Sequence, residues 1–202
     1  MSIRSKLPDV GTTIFTVISQ RAHETGALNL GQGFPDYEID PRLTELVTEA
    51  MAAGHNQYAP MGGVMELKEQ IARKLAATYG RQFDPVSQIT VTLGATEGIY
   101  SAIQAVVAAG DDVIMFDPSY VSYDPAVRLA GGRSIPMPLQ PPDFRYDWDG
   151  IRQSITDRTR LVLFNSPHNP SCTAASSEDH AQLAAAIRGR DILVLSDEVY
   201  EN

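Results

Sequence analysis

Downstream of residue 87, short continuous runs of apolar residues alternate with stretches in which apolar residues recur at helical spacing. The runs predict strands at 88–93, 112–116, 160–165 and 191–195, because aliphatic and β-branched residues fill nearly every position. A further run at 134–139 contains Pro136 and Pro138, which cannot donate to a ladder, so we expect an edge strand there.

The helical pattern predicts helices at 41–53, 64–79, 96–108, 121–130, 148–155 and 177–187. Gly110 and Gly131 are stop signals, and Ser176 or Ser177 is a cap. Alternating strands and helices indicate an α/β fold with three layers, a mostly parallel sheet with helices on both faces. Residues 1–45 have little periodicity and predict an N-terminal arm with part of a small domain. Residues 46–202 predict the first part of a large domain.

Composition narrows the class of protein. The 202 residues carry a net charge of −9, which disfavours nucleic-acid or anionic-membrane partners because no basic surface is available. Cys172 is the single cysteine, so there is no internal disulfide and no cysteine-rich metal site. Neither a signal peptide nor a run of about 20 apolar residues is visible. We therefore expect a soluble, cytoplasmic protein with no bound metal.

Candidate chemistry follows the predicted strands. In open parallel sheets, ligands bind at the carboxyl ends of the strands. Four loops there combine turn-forming residues with hydrogen-bonding groups: GATEG (94–98), DPSY (117–120), SPHNPS (166–171) and SDEVY (196–200). We expect these loops to meet at one edge of the sheet and to form a ligand site.

Each loop also has a plainer interpretation. GATEG could face an anion with its backbone N–H groups, or it could be a tight turn capped by Thr96. It lacks the G-x-G-x-x-G spacing of a dinucleotide site. Asp197 lies at the end of a buried strand, so its carboxylate loses hydration and could be compensated by a cationic or donor group of a ligand. The plainer interpretation is that it reaches solvent or a neighbouring arginine of the protein. His168 is more often structural than catalytic in such a loop, and we expect Glu198 in a solvated salt bridge.

Together these stretches resemble the class I pyridoxal-phosphate-dependent aminotransferases. The motifs that carry the resemblance are NLGQGFPD (29–36), NQYAPMGG (56–63), VTLGATEG (91–98), DPSYVSY (117–123), NSPHNPS (165–171) and SDEVY (196–200). The arm SKLPDVGTTIF (5–15) is similar to the methionine and kynurenine aminotransferase branch. The resemblance implies transamination between an amino acid, of methionine or aromatic type, and a 2-oxo acid, in a homodimer.

The resemblance also implies roles for individual residues. Ala95 and Thr96 would bind the phosphate of pyridoxal phosphate through backbone N–H groups, and Tyr120 would stack on the pyridine ring. Asn169 and Tyr200 would hydrogen-bond the phenolic oxygen, and Asp197 would keep the ring nitrogen protonated. Tyr58 would reach the phosphate of a partner subunit. Gly33, together with Asn169, would lie against the substrate.

Two features depart from the family pattern. Many members have glycine where this chain has Cys172, which would be strained if the turn needs positive φ. The family's Schiff-base lysine follows SDEVY, and none of Lys6, Lys68 and Lys74 is positioned for that role. We therefore expect a truncated chain, inactive alone and a weak binder of cofactor.

Other functions stay open at this point. A cysteine-conjugate β-lyase would use the same cofactor for a different reaction. A non-catalytic binding module could retain the cofactor site, and an unrelated nucleotide-binding α/β domain would share only the alternation of strands and helices.

Overall fold

The computed structural model describes residues 4–33 and 35–201, so Phe34 of the 29–36 motif lies outside the described residues. The chain divides into two compact units. The smaller unit is Thr12–Thr92, and the larger is Leu93–Asn202 together with Met1–Gly11. No helix in the described ranges is both long enough and apolar enough to cross a membrane.

The smaller unit contains α1 (Ile14–Thr25), α2 (Pro41–Ala52) and α3 (Met65–Tyr79). The larger unit contains α4 (Gly94–Val106), β1 (Asp112–Asp117), α5 (Tyr123–Leu129), β2 (Arg133–Pro138), α6 (Trp148–Ser154), β3 (Thr159–Asn165), α7 (Ser177–Ile187) and β4 (Leu193–Asp197). Asp40 caps α2 by accepting from the Arg42 N–H, and Pro41 opens that helix, where a missing N–H costs nothing.

The four strands form one parallel sheet in the order β2-β1-β3-β4. The proline-containing strand β2 pairs with β1 alone, as expected for an edge strand. In β1, Val113 and Met115 pack on one face, against α4 and α5. Ile114 and Phe116 pack on the other face, against α6 and α7. This arrangement confirms the predicted three-layer α/β fold.

The helix boundaries follow the local signals of the sequence. Ser176 forms a capping box with Asp179, in which each side chain accepts from the other residue's backbone N–H. Gly131 ends the segment after α5 with φ of 83°, where a Cβ would lie 3.2 Å from Ala109. A residue with a side chain would therefore be strained and crowded at position 131.

The predicted strand at 88–93 is wrong: these residues do not belong to the sheet in the described part of the chain. A run of β-branched residues becomes a strand only when a neighbouring strand completes its ladder. Here the Val91 N–H donates to the carbonyl of Gly62, which lies in a loop rather than in a strand.

The expected arm contains a helix that the apolar pattern did not reveal. The Thr13 side chain accepts from the Thr16 N–H at the start of α1, and Gly26 ends the helix in the left-handed conformation. The capping Thr13 and the terminal Gly26 are the sequence signals that could have revealed this helix. The expected domain boundary near residue 45 falls inside α2 and stays a prediction.

Asp112 is a buried charge at the start of β1, with 1% of its surface exposed. Arg133 donates to both of its carboxylate oxygens, over 2.8 and 2.9 Å, and Arg158 lies 3.6 Å away. Hydrogen bonds from the Arg133 guanidinium hold the pKa of Asp112 below its usual range, against the opposing effect of burial. The carboxylate therefore ties β1 to β2 in its ionised form.

This ion pair predicts a specific acid sensitivity. A depressed folded-state pKa contributes stability above the unfolded pKa and loses it as the pH falls. We expect Asp112→Asn to lower the free energy of unfolding by about 2 kcal/mol at pH 7. Below about pH 4 the difference from wild type should shrink, as urea titrations at several pH values would show.

The control for this prediction is Asp191→Asn, since Asp191 also pairs with an arginine, Arg160, but is 93% exposed. An exposed ion pair contributes little to stability, so the free energy of unfolding of Asp191→Asn should follow that of wild type at every pH. A constant difference between Asp112→Asn and wild type from pH 7 to pH 3 would contradict the assignment.

Cys172 adopts φ of 58°, so the turn does place this non-glycine residue in the left-handed region. Its N–H donates to the carbonyl of His168, which fixes the turn. We expect Cys172→Gly to raise the free energy of unfolding by about 0.5–1 kcal/mol, the strain relieved less the entropy that glycine loses. Cys172→Ala keeps a Cβ and is the matched control in chemical denaturation. Equal stabilities of the Gly and Ala variants would show that the turn carries no strain.

Candidate functional site

A pocket of about 200 Å³ lies at the carboxyl ends of the strands in the larger unit. It is lined by Ala95, Thr96, Ile99, Tyr120, Tyr123, Asn165, Asn169, Asp197, Val199 and Tyr200. These residues come from the start of α4, the segment after β1, the loop after β3 and the end of β4. The loops that the sequence predicted to share one edge of the sheet therefore do share a pocket.

Asp197 is the last residue of β4 and is 7% exposed. Its Oδ2 accepts a hydrogen bond from the Tyr123 hydroxyl, and its Oδ1 accepts from the Val199 N–H at 3.2 Å. Among the residues that the structure describes, no lysine, arginine or histidine forms a salt bridge with it. The two plainer interpretations, contact with solvent and pairing with an arginine, are therefore not what the structure has.

Tyr123 begins α5 and is 2% exposed. Burial raises the pKa of its hydroxyl well above the usual range, and the hydrogen bond to the Asp197 carboxylate raises it further. The phenol therefore stays protonated and acts as a donor to Asp197. The sequence did not predict the contact between Tyr123 and Asp197.

Tyr120 is half-buried at the side of the pocket, between β1 and α5. Its ring meets the Tyr123 ring edge to face, with centroids 5.7 Å apart and an interplanar angle of 69°. This contact fixes the orientation of the Tyr120 ring, because edge-to-face packing restricts rotation of both rings. A flat ligand could stack on a ring held in this way.

Asn169 and Tyr200 form a polar pair in the pocket. The Asn169 amide Nδ2 donates to the Tyr200 hydroxyl oxygen at 3.2 Å. The Asn169 backbone N–H donates to Asn165 Oδ1 at 2.8 Å, which fixes the backbone that carries the amide. The Tyr200 hydroxyl accepts in this pair, so its own proton remains available for another acceptor.

The start of α4 supplies the remaining part of the pocket, through Ala95 and Thr96. No side chain caps this helix, so Thr96 is not the cap that one interpretation proposed. Instead, the Leu93 N–H donates to the carboxylate of Glu97. Because Ala95 and Thr96 are small, their backbone N–H groups at the positive end of the helix dipole are accessible to a ligand in the pocket.

Two neighbouring polar residues lie outside the pocket. His168 is 4% exposed, and its Nδ1 lies 2.7 Å from the Ser171 hydroxyl. Burial lowers the pKa of His168, so it stays neutral and structural, as expected. Glu198 accepts from the Ser196 hydroxyl at 2.7 Å and forms no salt bridge with a described residue, which corrects the expected ion pair.

Gly33 and Tyr58 lie in the smaller unit and are exposed, Tyr58 fully. Their roles toward substrate and cofactor stay predictions. The sequence did not predict that Asn165, Ile99 and Val199 line the pocket. The one available signal was Asn165, a polar residue at the end of an otherwise apolar run, in the same position relative to β3 as Asp197 to β4.

Comparison with known proteins agrees with this arrangement. The model of the family described as aminotransferase class I and II matches residues 25–202. The methionine aminotransferase of Escherichia coli (strain K12) is 53% identical over 199 residues, which cover 98% of this chain and 52% of the relative. A probable N-succinyldiaminopimelate aminotransferase of Mycobacterium tuberculosis is 38% identical over 98% of this chain and 50% of the relative.

The fold agrees as closely. The crystal structure of YbdL from Escherichia coli, identified as a methionine aminotransferase, superposes with a TM-score of 0.95 at 52% identity, over 98% of this chain and 52% of that one. The chain thus spans about half the length of the relatives that it matches. The chain belongs to the class I and II aminotransferase family.

Proposed function

We propose that this chain forms the cofactor pocket of an enzyme that transfers an amino group from methionine or an aromatic amino acid to a 2-oxo acid. Class I aminotransferases use pyridoxal phosphate, whose protonated pyridine ring withdraws electrons from the α-carbon of the bound substrate. The methionine aminotransferase at 53% identity supports this substrate class.

The observation that carries the proposal is the buried carboxylate of Asp197. An ionised carboxylate that leaves water without a cationic partner loses several kcal/mol of hydration. Two hydrogen-bond donors, Tyr123 and the Val199 N–H, compensate part of that loss. A protonated ring nitrogen would supply the missing positive charge. Asp197 would in turn hold the proton on that nitrogen.

The other lining groups suit the rest of the same molecule. Tyr120 would pack its ring on the face of the pyridine. Asn169 and Tyr200 would donate to the phenolic oxygen, since the Tyr200 hydroxyl keeps its proton while it accepts from Asn169. The backbone N–H groups of Ala95 and Thr96, at the positive end of α4, would bind the phosphate. The donors, the aromatic face and the carboxylate in the pocket therefore fit the cofactor.

Further parts of the proposal concern assembly and location. We propose a homodimer in which Tyr58 reaches the phosphate in the partner's site and Gly33 lies against the substrate carboxylate. The NQYAPMGG and GQGFPD motifs support these roles by their resemblance to the family. The single cysteine supports a cytoplasmic location, because thiols stay reduced there.

The substitution Asp197→Asn tests the proposal, because it keeps the shape of the side chain and removes its charge. The assay needs a polypeptide that contains this chain together with the Schiff-base lysine. In it we expect kcat/KM for transamination of methionine with a 2-oxo acid to fall about a hundredfold or more, as for the loss of one partner of a buried charge pair. The affinity for pyridoxamine 5′-phosphate, measured by fluorescence titration, should fall as well.

Asp117→Asn is the matched control. Asp117 ends the neighbouring strand β1 at the same edge of the sheet, but it is exposed and does not line the pocket. Its kcat/KM should stay within about threefold of wild type, the range of an exposed substitution. Equal activities of Asp197→Asn and wild type would remove the basis of the proposal.

A further inference from the structure

Asn165 is a buried amide below the site, at the end of the central strand. It is 4% exposed and stands opposite Asp197 in the ladder between β3 and β4. Its Nδ2 donates to the backbone carbonyl of Asp197 at 2.9 Å and to that of Pro167 at 3.2 Å. Its Oδ1 accepts from the backbone N–H of Asn169 at 2.8 Å.

These three bonds decide what the side chain can do. A primary amide has two N–H donors, and both donors of Asn165 already go to backbone carbonyls. The carboxamide therefore has no donor left for a ligand, although it lines the pocket. Its remaining influence on the pocket is through the residues that it holds.

The residues to which Asn165 is hydrogen-bonded follow or end two different strands. Asn169 follows β3 and Asp197 ends β4, so the Asn165 side chain bridges the gap between the ends of two parallel strands. The Ser166 N–H also donates to the Asp197 carbonyl, at 3.1 Å, so this carbonyl accepts two bonds from the β3 side. Without the Asn165 amide, the Asp197 carbonyl would lose one of its two donors. The Asn169 N–H would lose the Asn165 oxygen that accepts its hydrogen bond.

We propose that Asn165 is a positioning residue, which sets the separation of the Asn169 amide from the Asp197 carboxylate and thereby the fit of the pocket to its ligand. The inference rests on the proposed function only in that Asn169 and Asp197 hold the cofactor. A hydrogen-bonded amide suits this task, since its planar geometry fixes three backbone groups at once, whereas an apolar residue of equal size would fix none.

Two variants separate the acceptor function of the Asn165 side chain, toward the Asn169 N–H, from its donor function, toward the two carbonyls. Asn165→Ala removes the donors and the acceptor. Asn165→Asp keeps an oxygen that can accept from the Asn169 N–H, but it places a carboxylate against two carbonyl oxygens and loses both donors. Leu163→Val is the control: Leu163 is a buried residue on the same strand that packs in the core and does not line the pocket.

The first measurement is hydrogen exchange of the Asn169 backbone N–H, followed by NMR or by mass spectrometry of the 166–173 segment. It requires no cofactor, so its result does not depend on the proposed function. We expect exchange at least about tenfold faster in Asn165→Ala, and close to wild type in Asn165→Asp and Leu163→Val. Unchanged exchange in Asn165→Ala would overturn the positioning role directly.

The second measurement, made on a polypeptide that also contains the Schiff-base lysine, is the dissociation constant for pyridoxamine 5′-phosphate. This ligand lacks an aldehyde, so it reports contacts in the pocket without a covalent bond to lysine. We expect binding to weaken about tenfold or more in both Asn165 variants and to stay within about threefold in Leu163→Val, even if all three lower the melting temperature equally. Equal weakening in Leu163→Val would overturn the inference in favour of a general loss of stability.

Asp197→Asn in the same titration distinguishes the two proposals. If Asp197→Asn weakens binding and the Asn165 variants do not, the positioning role fails and the proposed function stands. If neither substitution changes the affinity, the proposed function fails and the inference fails with it.

Discussion

The site depends on one constraint, the burial of β3 at the centre of a parallel sheet. β3 pairs with β1 on one side and β4 on the other, and helices cover both of its faces. Parallel pairing sends the carboxyl ends of these strands to the same edge. Loops that are 73 residues apart in sequence, those of Thr96 and Asn169, therefore line one small pocket.

A second layer of hydrogen bonds lies beneath the groups that face the pocket. Tyr123 and the Val199 N–H hold the carboxylate of Asp197, and Asn165 holds the backbones of Asp197 and Asn169. Tyr123 and Asn165 are buried, so the bonds that their side chains donate form where water competes poorly. The polar groups of the pocket are thus fixed before any ligand arrives, which reduces the entropy lost on binding.

Most elements could be predicted from the sequence because their signals are local. The apolar runs of β1 and β3, the capping box at Ser176 and the prolines of β2 each act within a few residues. The segment 88–93 could not, since its β-branched residues need a neighbouring strand that the described sheet does not provide. Helix α1 carries local signals as well, its capping residue Thr13 and its terminal Gly26, although the apolar pattern alone did not predict it.

The sequence alone determined that strands β1 to β4 exist and which polar motifs follow them, and the order of the motifs indicated the family. The sequence marked Cys172 as a residue that would be strained if its turn needs positive φ, and the structure supplied the φ of 58°. Only the tertiary structure decided which partners these residues have. Whether Asp197 meets an arginine, solvent or the Tyr123 hydroxyl depends on how β4 and α5 pack, over a separation of 74 residues that no local pattern encodes. The same holds for Asn165, because its amide donates to the Asp197 carbonyl of β4, which becomes its neighbour only in the folded sheet.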